Sequence, residues 1–488
     1  MERPVILVCD TLPFQLVRDE ETGHLRRDDR QGDTGGLQVT CGSLMKSGHG
    51  ACLVGWPGLY MREEEMVPSR DDVTTSTATS SGSALGIPVV PVCELSRDDF
   101  AKHFAFAAEM VTPHLHSLSE FSMGRWDDWE PFGLLGRKFG QAILKALDVQ
   151  PSQHAPVVWV HDGDSLLIQV AKFLRNQETS REYTLSYTHH ISFPPWEDLQ
   201  RFPWCNEVMD GFLGYDDVMF MAQVHVNNFL ECCREMSITV KVNEDGGTVY
   251  YQGRTVKVRK VAPSCQHDKL MKLAQVAPPL PLGLKQDCKI LLGAERVAYT
   301  KGLPERVRAF GHMLERYPEH VGRVCYYQVG VPAGTEGVKV SRIHLKVQEE
   351  VEKAIFTVNE TFGTPIWTPI HYVPHAMPHA LLTGFYRDAD VMLVTSLKDA
   401  LNLVAKEYVS CQVNDPGVVV VSKYAGVSEI MEEALLCDPR DEDGLADIMH
   451  QALTMPLWER RTRMNKLQSR QEGCSVDAWV EKVLDGLQ

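Results

Sequence analysis

Short apolar runs alternate with stretches of helical periodicity along most of the chain. Residues 5–9, 51–55, 88–92, 157–160, 183–187 and 217–220 form such runs in the first half. Residues 289–293, 324–329, 391–395 and 417–422 continue them in the second. Most are rich in Val, Ile and Leu without clean alternation, the pattern of strands covered on both faces. Between them the apolar spacing predicts helices over 97–110, 165–175, 303–317, 343–356 and 402–411. Repeated βα units imply an α/β fold of parallel sheets with right-handed crossovers.

The pattern breaks at Ala277-Pro278-Pro279-Leu280-Pro281-Leu282-Gly283. Prolines stiffen a connection and interrupt both helix and strand. Two doubly wound, Rossmann-like domains are therefore expected, over 1–275 and 289–472, joined by a linker at 276–288. An amphipathic helix within 473–488 is expected to pack back on the first domain. Two such domains in series place a ligand in the cleft between them, beyond the carboxyl ends of the strands. Residues 70–86, rich in Ser and Thr, read as a surface loop.

Composition narrows the function classes. With 49 Lys and Arg against 65 Asp and Glu, the 488 residues carry a net charge of −16. That balance argues against a dedicated nucleic-acid surface and leaves room for a local anion site. Thirteen cysteines, an odd number with no C-x-x-C spacing, read as reduced thiols of a cytoplasmic protein. No Cys/His grouping has zinc-ligand spacing, so no metal is expected. The apolar run near the start is too short for a signal peptide, and none reaches the roughly 18 residues of a membrane span.

Five segments following apolar runs could carry chemistry. Gly32-Asp33-Thr34-Gly35-Gly36-Leu37 opens a helix, where glycines let backbone amides approach a phosphate. A plain turn explains it about as well. His161-Asp162-Gly163-Asp164-Ser165 follows a strand; Asp164 or Ser165 suits a helix cap, which leaves His161 and Asp162 without a structural account. His189-His190 precedes a rigid Pro194-Pro195 turn, and a histidine there is more often structural than catalytic. Arg296 and Lys301 flank the loop before Pro304, a pairing suited to a diphosphate or to simple solvation. Asp399 lies in a loop before a helix starting near Asn402, with Glu407 in its second turn; amides at such a start can bind ligand oxygens.

In order and wording these segments resemble the trehalose-6-phosphate synthase family, retaining two-domain GT-B glycosyltransferases, with a flavour closest to the animal members. The strongest stretches run F-P-P-W-E-D-L-Q-R-F-P-W from Phe193, Y-T-K-G-L-P-E-R-V-R-A-F from Tyr299, W-T-P-I-H-Y from Trp367, and 390–412. The resemblance implies a UDP-glucose donor and no further cofactor. It assigns Gly35 and Gly36 to the donor-phosphate loop, Arg296 and Lys301 to the diphosphate, and Leu403 and Val404 to amides near the phosphates. Glu407 would take the ribose hydroxyls, Asp399 the donor sugar, His190 the glucose 6-hydroxyl, and Asp162 a place beside the reacting centre. The partners are then a UDP-sugar and a small-molecule acceptor; a homo-oligomer is allowed, and neither nucleic acid nor membrane is implied.

The acceptor side departs from the family. Its Asn-Arg after the first strand is Asp10-Thr11 here, its Trp-Pro is Thr112-Pro113, and its Pro-Ser-Arg is Pro332-Ala333-Gly334. Losing both cations removes the charge-assisted contacts that would hold a phosphomonoester. On the donor side, Gly-Met-Asn has become Ala400-Leu401-Asn402, which matters if the glycine needs positive φ. The expectation is a glycosyltransferase whose acceptor is not glucose 6-phosphate. The alternatives are an authentic trehalose-6-phosphate synthase and an inactive relative acting as a binding or regulatory subunit.

Overall fold

The computed structural model describes residues 3–28, 35–49, 51–67, 88–124, 129–149, 154–163, 167–179, 181–243, 246–278, 280, 288–332 and 341–487. They form two compact units, Met1–Val261 with Val476–Gln488, and Ala262–Ser475.

The first unit holds β1 (Val5–Thr11), β2 (Gln15–Arg18), β3 (Leu25–Asp28), β4 (Ala51–Trp56), β5 (Val89–Pro91), β6 (Val157–Asp162), β7 (Thr184–His189), β8 (Asp217–Phe220), β9 (Thr239–Asn243), β10 (Gly246–Tyr251) and β11 (Arg254–Lys260). Nine of these form one sheet in the order β5-β4-β1-β6-β7-β8-β11-β10-β9, and β2 and β3 pair separately. The run 5–9 shows why the apolar patterning does not alternate. Ile6 and Val8 enter one core, with Val54, Val158 and Phe100. Val5, Leu7 and Cys9 enter the other, with Trp159 and with Trp479, Val480 and Val483 of the helix Val476–Asp485. Both faces are covered, so both sets must be apolar.

β10 departs from the parallel pattern, pairing antiparallel with β9 and β11. The cause is local: Gln252 and Gly253 carry φ of 48° and 76°, and two left-handed residues make the tight hairpin turn that joins antiparallel strands. The helix expected over 97–110 is regular from Arg97 to Phe106, with a Ser96–Asp99 capping box, and then widens into a π-turn, Ala107–Val111.

The second unit holds β12 (Lys289–Arg296), β13 (Val324–Val331), β14 (Ile370–Val373), β15 (Val391–Val394), β16 (Val418–Ser422) and β17 (Leu435–Cys437), an all-parallel sheet ordered β14-β13-β12-β15-β16-β17. β12 and β15 are neighbours, so the loops at their carboxyl ends lie side by side.

The division between the units falls earlier than the proline-rich stretch. The helix His267–Val276 belongs to the second unit, packing on His379–Asp388 and Leu403–Cys411. Its buried Leu270 and Ala274 supply the contact. Arg387 holds its end by donating to the carbonyls of Ala274 and Ala277 at 3.0 and 2.6 Å. Apolar packing sets the boundary there. Of the expected linker, residues 279 and 281–287 lie outside the described residues.

Candidate active site

In the second unit the groups assigned to the donor fall on two adjacent loops. Arg296 ends β12, exposed, and its side chain makes no hydrogen bond or ion pair among the described residues. Lys301 closes a short 3-10 turn, Tyr299–Lys301, and Gly302 follows at φ 62°. A Cβ on Gly302 would sit 2.5 Å from the Thr395 carbonyl oxygen, so only glycine lets this loop touch its neighbour. The neighbour is 395–402. Lys398 N donates to Thr300 O at 3.2 Å, and Lys301 Nζ donates to Asp399 Oδ2 at 2.5 Å.

Asp399 also accepts from Ser396 Oγ at 3.2 Å and Asn402 Nδ2 at 3.1 Å. Asn402 caps the helix Leu403–Cys411 by accepting from Ala405 N at 3.2 Å, at φ 83°, a conformation disfavoured for a side chain other than glycine. One amide side chain thus fixes both the helix start and the carboxylate. As first-turn amides, Leu403 and Val404 have no carbonyl four residues back within the helix, and they leave donors for an anion. Ala400 is buried and is not among the residues with positive φ. The backbone conformation at this position does not require glycine.

Glu407 projects from the second turn of that helix and accepts from Tyr386 Oη at 3.3 Å. Burial pushes its carboxyl up to about 7, the Tyr386 bond opposing the shift. It is poised to ionise when hydroxyl donors reach it.

Beneath these loops lies a network that the sequence patterning missed. Arg306, fully buried, donates to both carboxylate oxygens of Glu295 at 2.5 and 3.0 Å. It also donates to Gln328 Oε1 at 3.1 Å and Thr395 Oγ1 at 2.8 Å. Glu295, next to Arg296, would otherwise repel an approaching diphosphate; here its charge is spent on Arg306. The signal was available: Arg306 lies three residues after Leu303 and four before Phe310, on the apolar face of Leu303–Arg316.

In the first unit, Asp162 and His161 end β6 beside the ends of β1 and β7. Asp162 is fully buried, and its Oδ2 accepts from Tyr187 Oη at 2.7 Å and Leu167 N at 2.8 Å. His161 and His190 stack, ring centroids 4.1 Å apart, and Trp479 meets His161 edge-on at 6.1 Å. Burial lowers His161 to about 4 and puts His190 well below the usual histidine range, so both rings are neutral. His190 Nε2 and His161 Nδ1 are buried with no hydrogen-bond partner among the described residues. The ring stack joins residues 29 apart in sequence, which patterning could not pair.

Asp10 and Thr11 stand at the end of β1. Asp10 Oδ1 accepts from Thr11 N at 2.8 Å, and its charge acts on His161. Thr112 and Pro113 begin the short helix after the π-turn. Gly35 opens the helix Gly35–Lys46 and Gly36 follows it; 32–34, 164–166 and 333–334 lie outside the described residues.

A model of the family described as glycosyltransferase family 20 matches residues 3–488. The trehalose-6-phosphate synthase of Mycolicibacterium vanbaalenii is 31% identical over 496 residues, covering 99% of this chain and 95% of the relative. The solved α,α-trehalose 6-phosphate synthase of Burkholderia multivorans is 27% identical with a TM-score of 0.82, covering 100% of this chain and 96% of that one. A UDP-forming α,α-trehalose-phosphate synthase from Burkholderia xenovorans, solved with glucose-6-phosphate, matches at a TM-score of 0.81 and 24% identity, over 99% of this chain and 100% of that one. With the family model spanning residues 3–488 and a relative 31% identical over nearly the whole chain, this protein belongs to glycosyltransferase family 20, with the α/β fold of the GT-B enzymes.

Proposed function

We propose that this protein is a UDP-glucose-dependent retaining glycosyltransferase of the trehalose-6-phosphate synthase type, with glucose 6-phosphate as acceptor. The observation that carries the donor half is Arg296, an exposed guanidinium with no partner among the described residues, at the end of β12 shortly before Lys301. Together with the amides of Leu403 and Val404, these cations would stabilise the charge that develops on the leaving diphosphate, usually the largest catalytic contribution. In the free protein Asp399 satisfies Lys301. Donor binding would exchange that ion pair for two contacts, Lys301 to phosphate and Asp399 to sugar hydroxyls. Glu407 would receive the ribose hydroxyls. His190, neutral, offers Nε2 to the glucose 6-hydroxyl. Asp162, bonded to Tyr187 and Leu167, is a positioning residue: it fixes the end of β6 that bears His161, and its carbonyl accepts from His190 N at 3.3 Å. Gly35 and Gly36 would present the first unit's helix start to donor phosphate.

The acceptor assignment is supported by relatives named as trehalose-6-phosphate synthases over nearly their whole length, and by the glucose-6-phosphate bound to the Burkholderia xenovorans protein. A second reading, an acceptor without phosphate, is favoured by one observation. Asp10, an anion, and Thr11 occupy the end of β1, where the family resemblance calls for an arginine. The donor groups are present among the described residues, so nothing favours an inactive relative. Measuring UDP release from UDP-glucose, with and without glucose 6-phosphate, separates the readings. Stimulation by glucose 6-phosphate supports the first. Release only with unphosphorylated sugars or polyols sinks it in favour of the second, and no UDP binding removes the donor assignment.

A further inference from the structure

Beyond the end of the helix Leu303–Arg316, the second unit brings His450 to the adjacent pair Glu319 and His320. His320 Nε2 and His450 Nδ1 face each other at 2.9 Å, although they are 130 residues apart. Glu319 Oε1 lies 3.9 Å from the same His450 nitrogen. One ligand atom from each residue falls within 4.8 Å of the others. We propose that Glu319, His320 and His450 form a binding site for a divalent transition-metal ion of zinc type.

The chemistry of the donor set favours this ion. Two imidazole nitrogens and one carboxylate are the protein ligands of open zinc sites, with the fourth position left to water. Hard cations such as magnesium and calcium prefer oxygen throughout. Two facing ring nitrogens can share one proton, one donating and the other accepting. A metal ion takes the place of that proton and uses both lone pairs. With Zn–N bonds of about 2.0–2.1 Å and a tetrahedral angle, the nitrogens need to separate to roughly 3.3 Å, an opening of about 0.4 Å. Rotation of the exposed Glu319 side chain then completes the set.

The surroundings hold the rings in place. Tyr317 stacks face to face on His450, centroids 3.8 Å apart and planes within 9°. Tyr317 Oη donates to Asp447 Oδ1 at 2.7 Å, one turn before His450 on the helix Glu442–Thr454. His320 is buried at the end of the 3-10 turn Pro318–His320, its amide bonded to Tyr317 O at 3.0 Å. Burial, chiefly, lowers its proton affinity, with His450 and Lys289 acting the same way and Glu319 opposing. Charges nearby are mixed: Glu319, Asp443 and Asp447 against Arg316, which pairs with Asp447 at 2.8 Å, and Lys289, which acts on His320. The bound ion would tie the turn after the helix Leu303–Arg316 to the helix Glu442–Thr454.

The test is a titration of the full-length chain, stripped of metal by chelator and kept reduced, with Co²⁺ as spectroscopic probe and Zn²⁺ in calorimetry. The expected result is one tight site per chain with tetrahedral cobalt bands and no thiolate charge-transfer band, which separates it from the cysteines. His450→Ala and His320→Ala should each weaken it at least about tenfold. Glu319→Gln, at an exposed position, should weaken it without changing the metal-free unfolding midpoint. Zn²⁺ should raise the unfolding midpoint of the unmodified chain and not that of His450→Ala. Equal affinities in the unmodified chain and all three variants overturn the proposal, as does the absence of any site or a thiolate signature at the tight one.

Discussion

Replacing Arg296 by alanine isolates one contact to the donor, because that side chain is exposed and holds no partner among the described residues. Its carboxylate neighbour Glu295 is already paired with Arg306, so no buried charge is released by the change. The unfolding free energy should therefore move by less than about 0.5 kcal/mol, the range of surface substitutions. Binding should respond differently. A hydrogen bond to a charged group contributes about 1.5–3 kcal/mol, and at roughly 1.4 kcal/mol per decade this weakens UDP by about 10- to 140-fold. Arg296→Lys keeps the charge and loses the planar fork, so it should recover part of the loss. Calorimetric titration of UDP into the three proteins, with thermal unfolding as a control for the fold, makes the measurement. A UDP affinity for Arg296→Ala within threefold of the unmodified chain, at unchanged stability, would refute the assignment of this loop to the diphosphate.

Lys301→Ala should also weaken UDP by about tenfold or more, but with a small cost to stability in chemical denaturation. Asp399 keeps Ser396 and Asn402 after Lys301 is gone. Arg306→Ala strands Glu295 in the interior, and breaking such a pair costs about 3–5 kcal/mol; a urea-unfolding midpoint close to that of the unmodified chain would contradict the network. Glu407 gives a pH signature. Its carboxyl sits near 7 in the free protein, and ribose hydroxyls favour the ionised form, so UDP affinity should fall as pH drops below about 7. Glu407→Gln should flatten that profile. The same raised value means that the protonated group's contribution to stability is complete below its ordinary value of 4.5 and is lost as pH rises through about 7. Denaturation midpoints of the two proteins across that window test the sign.

The resemblance drawn from motif order and the membership of family 20 agree, and the apolar runs anticipated the strands that bear the site. Where the expectations fell short, one cause was a local turn and the other a contact distant in sequence. The expected all-parallel sheets gave way at β10, because Gln252 and Gly253 form a two-residue turn. The expected boundary gave way because a helix before the prolines buries its apolar face in the second unit.

Amino-acid order alone determined the α/β class, since strands covered on both faces cannot alternate, and it determined the loops that bear Arg296, Lys301, Asp399 and Glu407, since strand ends carry the chemistry in such folds. Only the tertiary structure decided which of these groups are engaged. Lys301 is paired with Asp399 while Arg296 has no side-chain partner among the described residues; Glu295 is neutralised from below; His161 is stacked on His190, and His320 faces His450. Hydrogen bonds and ring contacts act over a few ångströms of space, and separations of 11 to 130 residues leave no local periodicity from which to read them.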